Sequence, residues 1–225
     1  MVPVSSKILF AAITGLNELV FRHVIVHIGV PVFLFLLTIF SLYSDSIALR
    51  RINSLCHAVL HLSGAAMYYT VPHFSSSHPV WLTILSGPVI VGILFILESI
   101  RFSPKLCYRV HRSLRRRTLG LVIALWSLVS FSVTGPFLSR SLNKLTPFGW
   151  PSCASLFSIG VVLTANHKGT NGSSILMVLC VFGMIMGIYS TMFLHHFVDF
   201  VLILASLSGL IVMFHDSTSS KNKSD

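Results

Sequence analysis

A dense run of positive charge set between two long apolar stretches limits what this chain can become. Residues 101–117, RFSPKLCYRVHRSLRRR, hold seven of the sixteen Lys and Arg residues. Such a segment does not cross a bilayer easily and stays on the cytoplasmic side, so it orients the apolar stretches on either side of it. Within it, Ser103 is placed to cap a helix that begins at Pro104, where the missing N–H costs nothing. At helical spacing Leu106, Cys107, Val110 and Leu114 share one face, and Lys105, Arg109, Arg112, Arg115 and Arg116 cover the other. That pattern predicts an amphipathic helix lying in the headgroup plane. The five cations are either topology determinants alone or a site for anionic lipid headgroups, each contributing about 1 kcal/mol near an anionic leaflet.

Composition agrees with a membrane setting. The 225 residues are 54% hydrophobic and 10% charged, against about a quarter charged in soluble domains. The apolar runs are continuous rather than alternating, which predicts helices and not a barrel. The fold expected is an all-α polytopic transmembrane bundle of about seven spans. These fall near 24–43, 52–72, 80–100, 118–138, 148–166, 174–194 and 197–214. Residues 1–23 are too short in apolar length to span and are expected as a lumenal interfacial helix. The span at 148–166 has the shortest apolar core. Gly183 and Gly187 form a GxxxG, a close-packing face between helices.

Charge counting sets the orientation. With loop 101–117 in the cytoplasm, seven spans place twelve Lys and Arg on that side and four on the other. The N-terminus is then lumenal and the C-terminus cytoplasmic. The net charge of +10 sits in short loops beside apolar spans, so no nucleic-acid partner is indicated. The expected partners are membrane lipids and other integral membrane proteins. The tail, residues 215–225, ends in Lys221-Asn222-Lys223-Ser224-Asp225. Lysines third and fifth from the end resemble the dilysine signal that returns membrane proteins to the endoplasmic reticulum, which becomes the expected location.

Two groups of residues are candidates for chemistry. On the lumenal side, His195 and His196 precede Asp199, on one face by i,i+3 and i,i+4 spacing. Imidazoles and a carboxylate are ligands for zinc or non-haem iron, or a general base with its orienting partner. In the second span His57 and His61 lie one turn apart with Asn53 a turn below, roughly 8 and 14 Å from the cytoplasmic edge of a ~30 Å core. The four cysteines make no metal or redox spacing, and no phosphate loop, nucleophile elbow or zincin motif is present. A non-catalytic or accessory subunit of a membrane assembly, with lipid or glycolipid metabolism as its setting, is therefore the leading expectation. A metal-dependent intramembrane lipid-modifying enzyme using the lumenal His/Asp group, and a small transporter, are the alternatives.

Overall fold

The computed structural model describes residues 24–70, 81–101, 109–111, 113–138, 151–166, 172–193 and 199–221. Among them are seven helices: α1 Val24–Tyr43, α2 Ile47–Thr70, α3 Trp81–Arg101, α4 Leu114–Leu138, α5 Pro151–Thr164, α6 Gly172–Phe193 and α7 Phe200–Lys221. Each answers to one of the seven apolar runs. The interfacial helix expected over 1–23 lies outside the described residues, as do Lys105, Arg112, His195, His196 and Lys223.

The helices pack as the pairs α2/α3, α4/α5 and α6/α7, with α1 against α2 and α4. The shortest element is the central one. Helix α5, at 14 residues, touches α2, α4, α6 and α7 and buries Phe157, Ser158, Ile159 and Leu163 completely. Its small residues let neighbours approach closely. A Cβ on Gly160 would stand 2.6 Å from both the Ala124 nitrogen and the Gly120 carbonyl oxygen of α4, so this pair meets backbone to backbone. The GxxxG works in the same way within the chain. A Cβ on Gly187 would lie 2.6 Å from Ile203 Cγ1, and one on Gly183 would lie 2.5 Å from Ser206 Oγ, so α7 seats on α6 there.

The bundle is apolar outside as well as in its core, with polar side chains buried between helices. Thr38, Ser54, His57, His61, Ser127 and Ser206 are buried inside it. Facing outward are large apolar side chains on six of the helices, among them Phe40, Val59, Ile100, Trp126, Met192 and Phe214. Helix α5 presents no large exposed apolar side chain among the described residues. By length and composition, one segment of the described residues, Gly172–Met192, is long and apolar enough to cross a membrane. The apolar segments Gly29–Tyr43, Cys153–Thr164 and Phe200–His215 are shorter.

At Arg109–Val110 the basic segment departs from the expected helix; residues 102–108 and 112 lie outside the described residues. Arg109–Val110 is extended and pairs antiparallel with Ala165–Asn166, in the register Arg109↔Asn166 and Val110↔Ala165. Helix α4 begins at Leu114. The cause lies at the C-terminus of α5, whose last carbonyls have no intrahelical donors. The His111 N–H donates to the Thr164 carbonyl at 2.9 Å, and Arg116 Nε donates to the Leu163 carbonyl at 2.9 Å. Backbone pairing at this end outweighs the local amphipathic pattern. The C-terminus differs as well, because α7 continues through the expected tail to Lys221. No Gly or Pro follows Gly209 in the sequence to stop it.

Candidate functional site

Helix α2 carries a polar stripe of Arg50, Asn53, Ser54, His57 and His61 at steps of three and four residues, so all of it lies on one face. Its opposite face exposes Ile52, Leu55 and Val59. The stripe is buried because α1, α3 and α5 close over it.

The start of α2 is held by its own cap. Ser46 Oγ accepts from the Leu49 N–H at 3.3 Å, in the manner of an N-cap residue. Arg50 folds back onto the end of α1, donating from Nε to the Ser41 carbonyl at 3.4 Å and from Nη2 to the Ser44 carbonyl. Its guanidinium is 3.6 Å from the Asp45 carboxylate. A cation at the negative end of a helix is well placed, which explains why Arg50, in the first turn of α2, is buried against the end of α1.

Deeper in, both histidines converge on a single hydroxyl. His57 Nδ1 and His61 Nε2 each lie 2.9 Å from Ser158 Oγ, and all three residues are buried. A serine hydroxyl has one proton to give, so one imidazole accepts it and the other donates its own N–H to the oxygen. His57 Nε2 faces Thr38 Oγ1 at 3.5 Å, and Thr38 Oγ1 donates to Asn53 Oδ1 at 2.9 Å. Aromatic rings fix the imidazole planes. His57 is stacked between Phe95, at 5.0 Å, and Phe157, at 5.5 Å, while His61 stacks on Phe95 at 5.9 Å. Ser54 Oγ donates to the Phe95 carbonyl at 2.9 Å and so holds α3 in place for that stacking. Beside this cluster is a partly open cleft lined by Ser41, Arg50, Asn53, Ser54, His57 and Phe95, with about 30 Å³ of free space. That is room for one or two waters.

Of the candidate group His195, His196 and Asp199, only Asp199 is among the described residues. Asp199 is the residue before α7, not one turn inside it. It is nearly buried and accepts the Ser190 hydroxyl of α6. A carboxylate at a helix N-terminus with a hydroxyl donor is stabilised without any metal. Among the described residues no group of three or more His, Cys, Asp and Glu converges on one point. His57 and His61 share only a serine, a poor partner for zinc or iron.

Among the basic candidates, Arg115 is exposed and Arg109 lies in the strand pair. Arg116 is turned inward onto α5, where it caps the Leu163 carbonyl. Ser158, Thr38 and Phe95 were not picked out by spacing or motif. The one local sign of Ser158 was a serine inside a short, small-residue helix, and that sign does not name a partner.

A model of a family of unknown function, DUF6064, matches residues 6–224, so the chain belongs to that family. No curated protein and no solved structure matches it.

Proposed function

We propose that this member of the family is a seven-span integral membrane protein of the endoplasmic reticulum, acting as a non-catalytic subunit of a membrane assembly. The observation that supports the membrane assignment is the apolar exterior of the bundle. Six helices turn large apolar side chains outward, while Ser, Thr and His are buried between helices beside a core of Leu, Ile, Val and Phe. In water, such extensive exposed apolar surface would drive association; in lipid it is the natural exterior, and polar side chains belong between helices. Helix α5, about 21 Å long, falls short of a ~30 Å core. A short helix is tolerated there where protein satisfies its end, as His111 and Arg116 do for the last carbonyls of α5.

The non-catalytic role is supported by the His57–Ser158–His61 cluster. Its polar groups bond to one another and tie α2 to α5, and the adjoining cleft has room for water but not for a lipid headgroup. In this reading Lys105, Arg109, Arg112 and Arg115 lie on the cytoplasmic leaflet, and the N-terminus is lumenal. Sequon mapping tests the topology: Asn171 in the wild-type chain stays unglycosylated, while a sequon placed between α4 and α5 is modified. Purification in a mild detergent tests the role. The chain should elute with stoichiometric integral partners, and a lone chain that turns over lipid would overturn it.

A further inference from the structure

We propose that the cleft beside Arg50 is a binding site for a chloride ion, held by Arg50 Nη1 and Asn53 Nδ2. Both side chains line the cleft, and they stand three residues apart on one face of α2. Each has one nitrogen to spare. Arg50 donates from Nε to the Ser41 carbonyl and from Nη2 to the Ser44 carbonyl, and its Nη1 makes no hydrogen bond among the described residues. Asn53 accepts the Thr38 hydroxyl on Oδ1 at 2.9 Å, which turns its NH2 away from Thr38 and leaves Nδ2 without an acceptor among the described residues. Neither nitrogen is sealed off from solvent, so both can reach what the cleft holds.

Charge selects the occupant. Arg50 is only 4% exposed, and a guanidinium taken out of water needs both acceptors and a counter-charge. The Ser41 and Ser44 carbonyls supply acceptors but no charge. The Asp45 carboxylate, 3.6 Å from Nη2, is 85% exposed, so solvent screens most of its pull. Water fits the cleft and can accept from both nitrogens, yet it leaves the cation uncompensated on that side. Chloride takes up little more room than water and brings the missing charge, so its bonds to Arg50 are charge-assisted. Phosphate and carboxylate groups are too large for about 30 Å³ of free space. The Ser41 and Ser54 hydroxyls already donate to the Thr38 and Phe95 carbonyls, so the two nitrogens are the donors that recognise the ion. An ion there braces the first turn of α2 where Arg50 meets the end of α1. The site depends neither on the side of the membrane it faces nor on the role proposed above.

The experiment is a chloride titration of the purified full-length protein in detergent, with sodium gluconate exchanged for sodium chloride at fixed ionic strength. Gluconate is too large for the cleft, so only the identity of the anion changes. Two signals are read: the midpoint of thermal unfolding, and the width of the chloride NMR line, which broadens as free ion exchanges with a protein site. In the wild type the midpoint rises with chloride and levels off, as expected for a ligand of the folded state. The line broadening saturates over the same range, and bromide reverses it by competition. Asn53→Asp keeps the shape and still accepts from Thr38, but sets a carboxylate where the amide donor stood. Arg50→Gln removes the charge. Each weakens chloride binding about tenfold or more, the usual weight of a hydrogen bond to a charged group. Should Arg50→Gln fail to fold, Asn53→Asp decides the matter. A midpoint and a line width indifferent to chloride mean that water alone fills the cleft, and overturn the site. Saturable binding that survives Asn53→Asp unchanged places the ion elsewhere and overturns it as well.

Discussion

Ser158 and His57 stand 101 residues apart in sequence, yet the serine Oγ lies 2.9 Å from the imidazole Nδ1 at a completely buried position. This contact joins the shortest helix to the most polar one and sets the depth at which α5 sits against α2. Ser158→Ala leaves two buried imidazoles without a shared partner. The expected loss is about 1–2 kcal/mol, in the upper range for hydrogen bonds between membrane helices. It should appear as a lower midpoint in thermal unfolding of the detergent-solubilised protein. Replacing all three groups together (His57→Phe, His61→Leu and Ser158→Ala) should recover part of that loss, because no orphaned polar group remains. A single Ser158→Ala chain as stable as the wild type would mean the tie carries no weight.

The contact between α4 and α5 leaves no room for a methyl group. In Gly160→Ala the new Cβ meets backbone atoms of Ala124 and Gly120, which cannot rotate away. The two helices must separate, at a cost of about 1–3 kcal/mol. Gly29→Ala is the control: its Cβ meets nothing within 4 Å, and in a helix it should be neutral or slightly stabilising. Denaturation midpoints of the two variants beside the wild type check the contrast.

Neighbouring arginines should behave in opposite ways. Arg116→Gln removes the buried donor to the Leu163 carbonyl and is expected to lower stability by about 1–3 kcal/mol. Its effect on attraction to anionic lipid should be small. Arg115 is exposed, so Arg115→Gln should leave stability unchanged and weaken headgroup interaction by about 1 kcal/mol. Unfolding curves, with anionic-lipid retention measured by native mass spectrometry, separate the two effects.

Lys221 and Lys223 are proposed to be read as a retrieval signal. Changing both to Ser should move the protein from the endoplasmic reticulum to later compartments, detected by imaging and by the maturation of a glycan on a lumenal reporter. Because α7 extends to Lys221, one lysine ends the helix and the other follows it. A double variant that keeps its location would assign retention to assembly with partners.

At the other end of α7, Asp199→Asn should be close to silent in the non-catalytic reading. The amide oxygen still accepts the Ser190 hydroxyl, and a neutral group is buried at less cost than a carboxylate. Complementation of a loss-of-function strain and metal content of the purified wild type are the measurements. Loss of function in Asp199→Asn, together with a metal in the wild type that the variant lacks, would transfer the assignment to the enzyme alternative.

The seven helices among the described residues were legible in the sequence, because apolar run length and i,i+4 spacing are local properties of the chain. The inward face of α2 was legible for the same reason. Once Asn53, His57 and His61 fall on one face and Ile52, Leu55 and Val59 on the other, the polar set has to find protein and the apolar set does not. What α2 would find was not legible. Ser158 and Phe95 reach the histidines only when α5 and α3 pack, and no local pattern specifies contacts between residues so far apart. Arg109–Val110 is extended for a related reason: the free carbonyls ending α5 claimed the nearby His111 N–H and Arg116. Those carbonyls exist only once α5 has formed and been buried at the centre. Sequence determined which segments are helical and which of their faces are polar. Tertiary structure alone decided which polar groups meet, because a buried donor or acceptor is satisfied by whichever partner packing brings within about 3 Å.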